Sequence, residues 1–316
     1  MNIMKPGFQI EERDELRGGL AIIEKAARTC YKTEDKITDG SAERMVRMLI
    51  QRHHEAMLEH GDYIFMLEDY KILDNVAYSL RRLMEDGDHV PLLTFTNINE
   101  RPIISGNIRA WRELLASRCG AAYYFAGAID PIYTEDLIPE NDREEDSKVK
   151  QIRYSDLMGF AEKRVHLRQT VRFTVDRGVT HEFVRHRVMS FAQESTRYCD
   201  YTDGRQGDGI TVIEPPFLTQ HTEPYDLWKR QCMSADTAYT HEKRLGLKPE
   251  EARTVLPQST KAELVMTGTL AQWDHFFDMR ARQTTGKAHP QAAEVAIPLM
   301  NEMAARFPDV IRGDGS

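Results

Sequence analysis

Apolar residues recur along this chain at two spacings, and each spacing predicts a different element. Leu20, Ile22, Ile23 and Ala26 share a stripe on a helix expected over about 15–30. Met45, Val46, Met48 and Leu49 do the same over 41–54, with Ser41 placed to cap that helix. The run 63–67 reads as a strand, with weaker strands at 91–98 and 102–104, and Ser105 is expected to cap a helix carrying Ile108, Trp111, Leu114 and Leu115. Alternation over 170–175 predicts a half-buried strand that leads through Asp176-Arg177-Gly178 into a short helix ending near Arg187. Pro249, followed by Glu250 and Glu251, starts a helix that Pro257 stops. Thr269 and Gln272 have capping-box spacing ahead of Trp273, Phe276 and Phe277. A last helix starts at Pro290 and carries Val295, Leu299, Met300 and Met303, with Pro298 expected to kink it. Strands and helices mix without regular alternation, which predicts an α+β fold.

Two stretches break the pattern. Residues 135–146 hold seven acidic side chains against one arginine and are expected to be a solvated loop, as is 201–218, rich in Gly, Asp and Pro. No apolar run approaches the ~18 residues that a membrane span needs, and the first residues lack a signal-peptide core. A cytoplasmic protein is the expectation. Four scattered cysteines, Cys30, Cys119, Cys199 and Cys232, form no metal or disulfide pattern.

The net charge is −8 and the pI about 5.8, which argues against a nucleic-acid face needing basic charge throughout. Against that background Arg185, His186, Arg187 and Arg197 gather near Ser190 and Ser195. Guanidinium groups bind phosphate bidentately and serine hydroxyls complete the oxygen shell, so the cluster suits a small phosphorylated ligand. The geometry expected is a helix end at 185–187 and an extended loop returning Ser195 beside it. Spacing alone leaves an ordinary solvated arginine-rich surface equally open. Zinc on one helix needs histidines four apart, whereas His181 and His186 are five apart, so no metal site is expected. Taken singly, Arg253 and Arg280 read as dipole partners at helix ends.

Taken together, several blocks resemble the flavin-dependent thymidylate synthase family. They are Arg185-His186-Arg187, seven residues and Ser195, with Ser195-Thr196-Arg197-Tyr198; Ala26-Ala27-Arg28-Thr29-Cys30-Tyr31; His54-Glu55 with Glu59-His60; Ala252-Arg253-Thr254-Val255-Leu256-Pro257; and His275-Phe276-Phe277-Asp278-Met279-Arg280. The resemblance covers about 20–68, 166–200 and 249–306. It implies one catalytic domain over 1–316, a mixed or antiparallel central sheet flanked by helices, and an extended insertion at about 69–165.

By the same resemblance the chain would methylate dUMP to dTMP. Methylenetetrahydrofolate would give the carbon and NADPH the reducing equivalents through FAD, in a homotetramer and without an enzyme nucleophile. FAD would meet His54, Arg185, His186, Arg187, Gln193, Thr269 and His275. The nucleotide would meet Glu182, Arg185, Gln193, Glu194, Ser195, Thr196, Arg197, Arg253 and Arg280, with Arg280 at the uracil edge as the catalytic group. Arg253 would reach the phosphate from another subunit. Several positions depart from the family pattern. Glu182 stands where a glutamine is common, Glu194 where leucine is common, and Ala192 where asparagine is common. Thr269, Ala271 and His275 replace flavin-contacting residues, and Gln272 could stand in for one of them. Glu182 is expected to meet a sugar hydroxyl or an arginine, since a carboxylate repels phosphate. The other reading is a catalytically silent nucleotide- or flavin-binding protein on the same fold.

Overall fold

The computed structural model describes residues 1–12, 17–143, 148–203 and 209–313. Glu15, the expected start of the first helix, lies outside them, as do Glu144, Glu145 and Asp146 of the acidic run and 204–208 of the Gly-rich stretch. The described strands are β1 (Asn2–Met4), β2 (Gly7–Glu11), β3 (Asp62–Leu67), β4 (Leu93–Ile98), β5 (Arg101–Asn107), β6 (Val149–Gln151), β7 (Arg168–Asp176), β8 (Ser190–Gln193), β9 (Thr211–Ile213) and β10 (Lys261–Thr269). The helices are α1 (Leu20–Tyr31), α2 (Ser41–Gln51), α3 (Tyr70–Asp86), α4 (Ile108–Ala116), α5 (Ala122–Phe125), α6 (Gly159–His166), α7 (Arg177–Phe183), α8 (Glu223–Arg244), α9 (Pro249–Ala252), α10 (Leu270–Arg280) and α11 (Pro290–Arg306). The fold is α+β, with two four-stranded sheets, and it divides into two compact units.

One unit comprises 11–27 and 35–170. Its sheet has the order β4-β5-β3-β6, antiparallel throughout, with Ile104 opposite Phe65 on one side and Phe95 on the other. Phe65, Trp111 and Phe125 pack with ring centroids 4.9–5.5 Å apart. Helix α2 starts as expected, but Gly40 occupies the cap position and Ser41 is the first helical residue. It stops at Gln51, short of 54, because His53 adopts a left-handed φ of 55°. Ser105 does not cap α4. It sits in β5, where the ladder continues to Asn107, and Asn107 accepts the Ala110 N–H at 2.8 Å. The acidic run is not simply solvated: Glu135 pairs with Arg47, and Asp136 with Arg112. Helix α3, not foreseen, buries Ile72, Val76, Ser79 and Leu83 on one stripe.

The other unit comprises 1–10, 28–34 and 171–316. Its main sheet has the order β2-β7-β10-β8, with β8 antiparallel to β10, Ala192 opposite Val265. Within the expected loop 201–218, β9 pairs in parallel with β1. Helix α9 starts at Pro249 and gives way to a 3-10 turn, Arg253–Val255, ending before Pro257 as the proline requires. Helix α10 opens on the expected capping box: Thr269 Oγ1 accepts the Gln272 N–H and Gln272 Oε1 accepts the Thr269 N–H. Helix α11 continues through Pro298. Helix α8 was missed because its buried side chains, Tyr225, Cys232 and Tyr239, form a narrow stripe whose period is blurred by Leu227 and Met233 on the exposed side.

Candidate functional site

The site-bearing turn of this unit is anchored by aromatic packing. Asp176 caps α7 by accepting the Val179 N–H at 2.9 Å, and α7 ends at Phe183. The Phe183 ring is buried against Phe173 of β7 (5.1 Å) and Phe276 of α10 (4.9 Å). The helix thus stops four residues before Arg187, because the chain must reverse here to enter β8. What was expected as an extended loop beyond 187 is that paired strand. The reversal, 184–188, is tied by His186 N–H to Phe183 O at 3.1 Å and Met189 N–H to His186 O at 3.2 Å. It leaves Arg185 and Arg187 exposed and buries His186.

The His186 ring lies 4.9 Å from the Phe276 ring and 6.2 Å from that of exposed His275. Burial, reinforced by the charges of Arg280 and His275, pushes its pKa down to about 4. The imidazole is therefore neutral at neutral pH. Arg280 Nε donates to His186 Nε2 at 3.1 Å, which assigns the ring proton to Nδ1. That buried Nδ1 has no partner among the described residues. An unanswered buried donor costs about 1–3 kcal/mol, so a site offering one is suited to a ligand acceptor. Arg280, in the last turn of α10, also donates through Nη1 to Glu182 Oε2 at 2.6 Å and through Nη2 to the Glu182 carbonyl at 3.4 Å.

A second cationic group forms after β8. Ser195 N–H bonds Cys30 O at 3.1 Å, and the Ser195 carbonyl accepts from Tyr198 N–H and Cys199 N–H, closing a turn. Ser195 Oγ accepts the Arg197 N–H at 3.3 Å; no imidazole is shown to activate it as a nucleophile. Arg197 is 57% exposed and donates to Glu250 Oε2 at 2.7 Å. Arg197 foremost, with Lys248 and Arg253 adding, holds the Glu250 carboxyl below its ordinary range. Arg197 thus reaches across 53 residues to the half-buried carboxylate of Glu250. Burial pushes the Cys30 thiol up to about 11 and the Cys199 thiol up to about 12, so neither is a thiolate at neutral pH.

The remaining expected residues scatter. Gln193 Nε2 donates to Thr180 Oγ1 at 3.0 Å, on α7. Glu194 is buried and turned inward: its carboxylate accepts from Lys261 at 2.8 Å and from Tyr201 OH at 3.3 Å, with Lys32 at 3.7 Å. Thr196 is buried. Thr269 and Gln272 spend their side chains on the α10 cap. His54 belongs to the other unit, exposed ahead of the turn Glu55–His60. Sequence reasoning missed Glu250, Thr180, Lys32 and Lys261. For the lysines one signal existed: a glutamate where leucine is usual demands a buried cation nearby.

Residues 126–309 match the family model described as thymidylate synthase complementing protein. The flavin-dependent thymidylate synthase of Pyrococcus furiosus is 29% identical over 153 residues, covering 48% of this chain and 61% of that protein. The enzyme of the same name from Mycolicibacterium vanbaalenii is 29% identical over 151 residues, covering 43% of this chain and 57% of its own. The chain thus spans about three-fifths of the length of the curated relatives it matches. A solved UMP/dUMP methylase from Streptomyces cacaoi, bound with 5-Br dUMP, aligns over 96% of this chain and 93% of that one at 15% identity. Its TM-score is 0.41, and a likeness that weak carries no argument. With more than half of its length matched by the family model, the chain belongs to the thymidylate synthase complementing protein family.

Proposed function

We propose that this chain is a flavin-dependent thymidylate synthase, one catalytic domain over its whole length, working in the cytoplasm as a homotetramer. The reaction is methylation of deoxyuridine monophosphate to thymidine monophosphate, with methylenetetrahydrofolate as carbon donor and NADPH as reductant. The observation that carries the reading is Arg280, held at the end of α10 by His186 and Glu182 beside the Arg185–Arg187 turn. A fixed guanidinium at a uracil edge favours loss of the ring N–H proton and stabilises charge that develops on the ring. Ser195, Arg197 and Arg253 serve the phosphate, and Glu250 holds Arg197 until an anion arrives. Glu194 serves from behind, as the inward anchor of the Ser195 turn.

The donors fit FAD: a buried His186 Nδ1 without a partner among the described residues, flanked by exposed Arg185 and Arg187, suits a ligand rich in acceptor atoms and phosphate. FAD, when bound, supplies the hydride that completes the methyl group. His186, Arg185 and Arg187, with Gln193, Thr269 and His275, are the residues proposed to hold it. Reduction belongs to the cofactor, so the protein's own task is to bind, orient and exclude water, which agrees with protonated thiols and an unactivated Ser195.

The test is direct. The purified protein should show flavin absorbance that NADPH bleaches, and should convert deoxyuridylate to thymidylate when methylenetetrahydrofolate is added. Flavin and nucleotide binding with no thymidylate would establish instead the catalytically silent binding protein.

A further inference from the structure

We propose that Glu182 is a positioning residue for Arg280, acting on the nucleotide only through that guanidinium. The proposal rests on the reading above, in which Arg280 faces the pyrimidine. A guanidinium carries five N–H donors. Three are engaged here: Nε–H with His186 Nε2 at 3.1 Å, one on Nη1 with Glu182 Oε2 at 2.6 Å, and one on Nη2 with the Glu182 carbonyl at 3.4 Å. Among the described residues two remain unengaged, one on each terminal nitrogen, for a ligand's carbonyl oxygens.

The clamp is rigid because one aromatic cluster supports both of its jaws. Glu182 directly precedes Phe183, and Phe183 packs on Phe276, four residues before Arg280 on α10. His186 packs on the same Phe276 ring at 4.9 Å. An arginine at a helix end otherwise loses side-chain rotamer freedom when a ligand immobilises it. Here the fold has already restricted it, with its side chain only 15% exposed.

The same contact resolves the oddity of an acid at a position where glutamine is common. The carboxylate is committed to the arginine, so it need not face the phosphate. Its two contributions separate chemically. The oxygen acceptor orients Arg280; the negative charge offsets part of the guanidinium's attraction for an anionic ring. Glu182→Gln keeps the first and removes the second, whereas Glu182→Ala removes both.

The experiment measures deoxyuridylate affinity by calorimetry and kcat per bound flavin for the wild type, Glu182→Ala, Glu182→Gln, Arg280→Ala and the Glu182→Ala/Arg280→Ala double variant. Glu182→Ala should lower kcat per flavin at least tenfold, with a smaller change in KM, because the arginine matters most as charge develops. Glu182→Gln should recover most of that loss. Without Arg280, removing Glu182 should weaken deoxyuridylate binding no further. A merely structural role would lower flavin content and thermal stability and would add to the Arg280 defect. The proposal is overturned if Glu182→Ala turns over like the wild type, if Glu182→Gln is as impaired as Glu182→Ala, or if the two losses add. A wild type that binds deoxyuridylate but makes no thymidylate sinks the enzymatic reading alone; the binding comparisons then judge Glu182. No binding at all sinks both.

Discussion

Each unit holds an arginine and a buried histidine whose hydrogen bonds are finished to different degrees. In the unit holding 35–170, Arg112 uses all three guanidinium nitrogens on Glu55, Asp136 and the Tyr133 carbonyl. In the same unit His166 answers both ring nitrogens, with Thr96 Oγ1 at 2.8 Å and Ser105 Oγ at 2.7 Å. In the other unit, among the described residues, Arg280 keeps two N–H groups unengaged and His186 a buried Nδ1 without a partner. Both imidazoles are pushed down to about 4, so burial and titration do not tell them apart. Completeness of hydrogen bonding does. Arg112 and His166 are satisfied by their own unit and serve as scaffold, whereas the open edge at Arg280 and His186 suits a ligand.

The largest expected effect tests the open pair. Arg280→Ala should cut thymidylate formation by about 10²–10³-fold while flavin stays bound, as for loss of a donor to developing charge. Loss of flavin absorbance in that variant would instead assign Arg280 to the cofactor. Acid should then loosen both units. An unfolded histidine protonates near 6.5, whereas His166 and His186 resist protonation until about 4. Their contribution is fully present above 6.5 and is lost as pH falls through that window, by roughly 3 kcal/mol for each ring. The urea midpoint should drop accordingly between pH 7 and pH 4.5, and His166→Gln should flatten part of the slope; an unchanged slope would contradict the buried neutral ring.

Arg112→Ala sharpens the scaffold side. It should destabilise its unit by about 2–3 kcal/mol, below the cost of breaking a fully buried pair because Asp136 is 41% exposed and can regain water. Deoxyuridylate affinity should not move, and a change there would erase the distinction between scaffold and site. The smallest effect is Ser195→Ala, which should weaken nucleotide binding by about 1.5–3 kcal/mol, the worth of a hydrogen bond to a charged group, and leave turnover. Complete inactivity with normal affinity would reopen Ser195 as a nucleophile.

How much was legible varied with the kind of signal. The α10 capping box, the proline start of α9 and the strand at Asp62–Leu67 depend on neighbours within a few residues, so they were readable. Helix α3 carries a readable stripe, Ile72, Val76 and Leu83, within a region that matched no motif. Helix α8 shows only a narrow apolar seam, which local periodicity does not separate from a polar loop. The end of α7 was misplaced because tertiary packing of Phe183 stops it, not any residue in the turn itself.

By itself the sequence determined the α+β class, the family, and the cations of the site, because side-chain type and short spacing encode those. The tertiary structure alone decided which acid meets which base. Glu182 reaches Arg280 across 98 residues and Glu250 reaches Arg197 across 53. Charge acts through distance in space, and only the folded chain sets that distance.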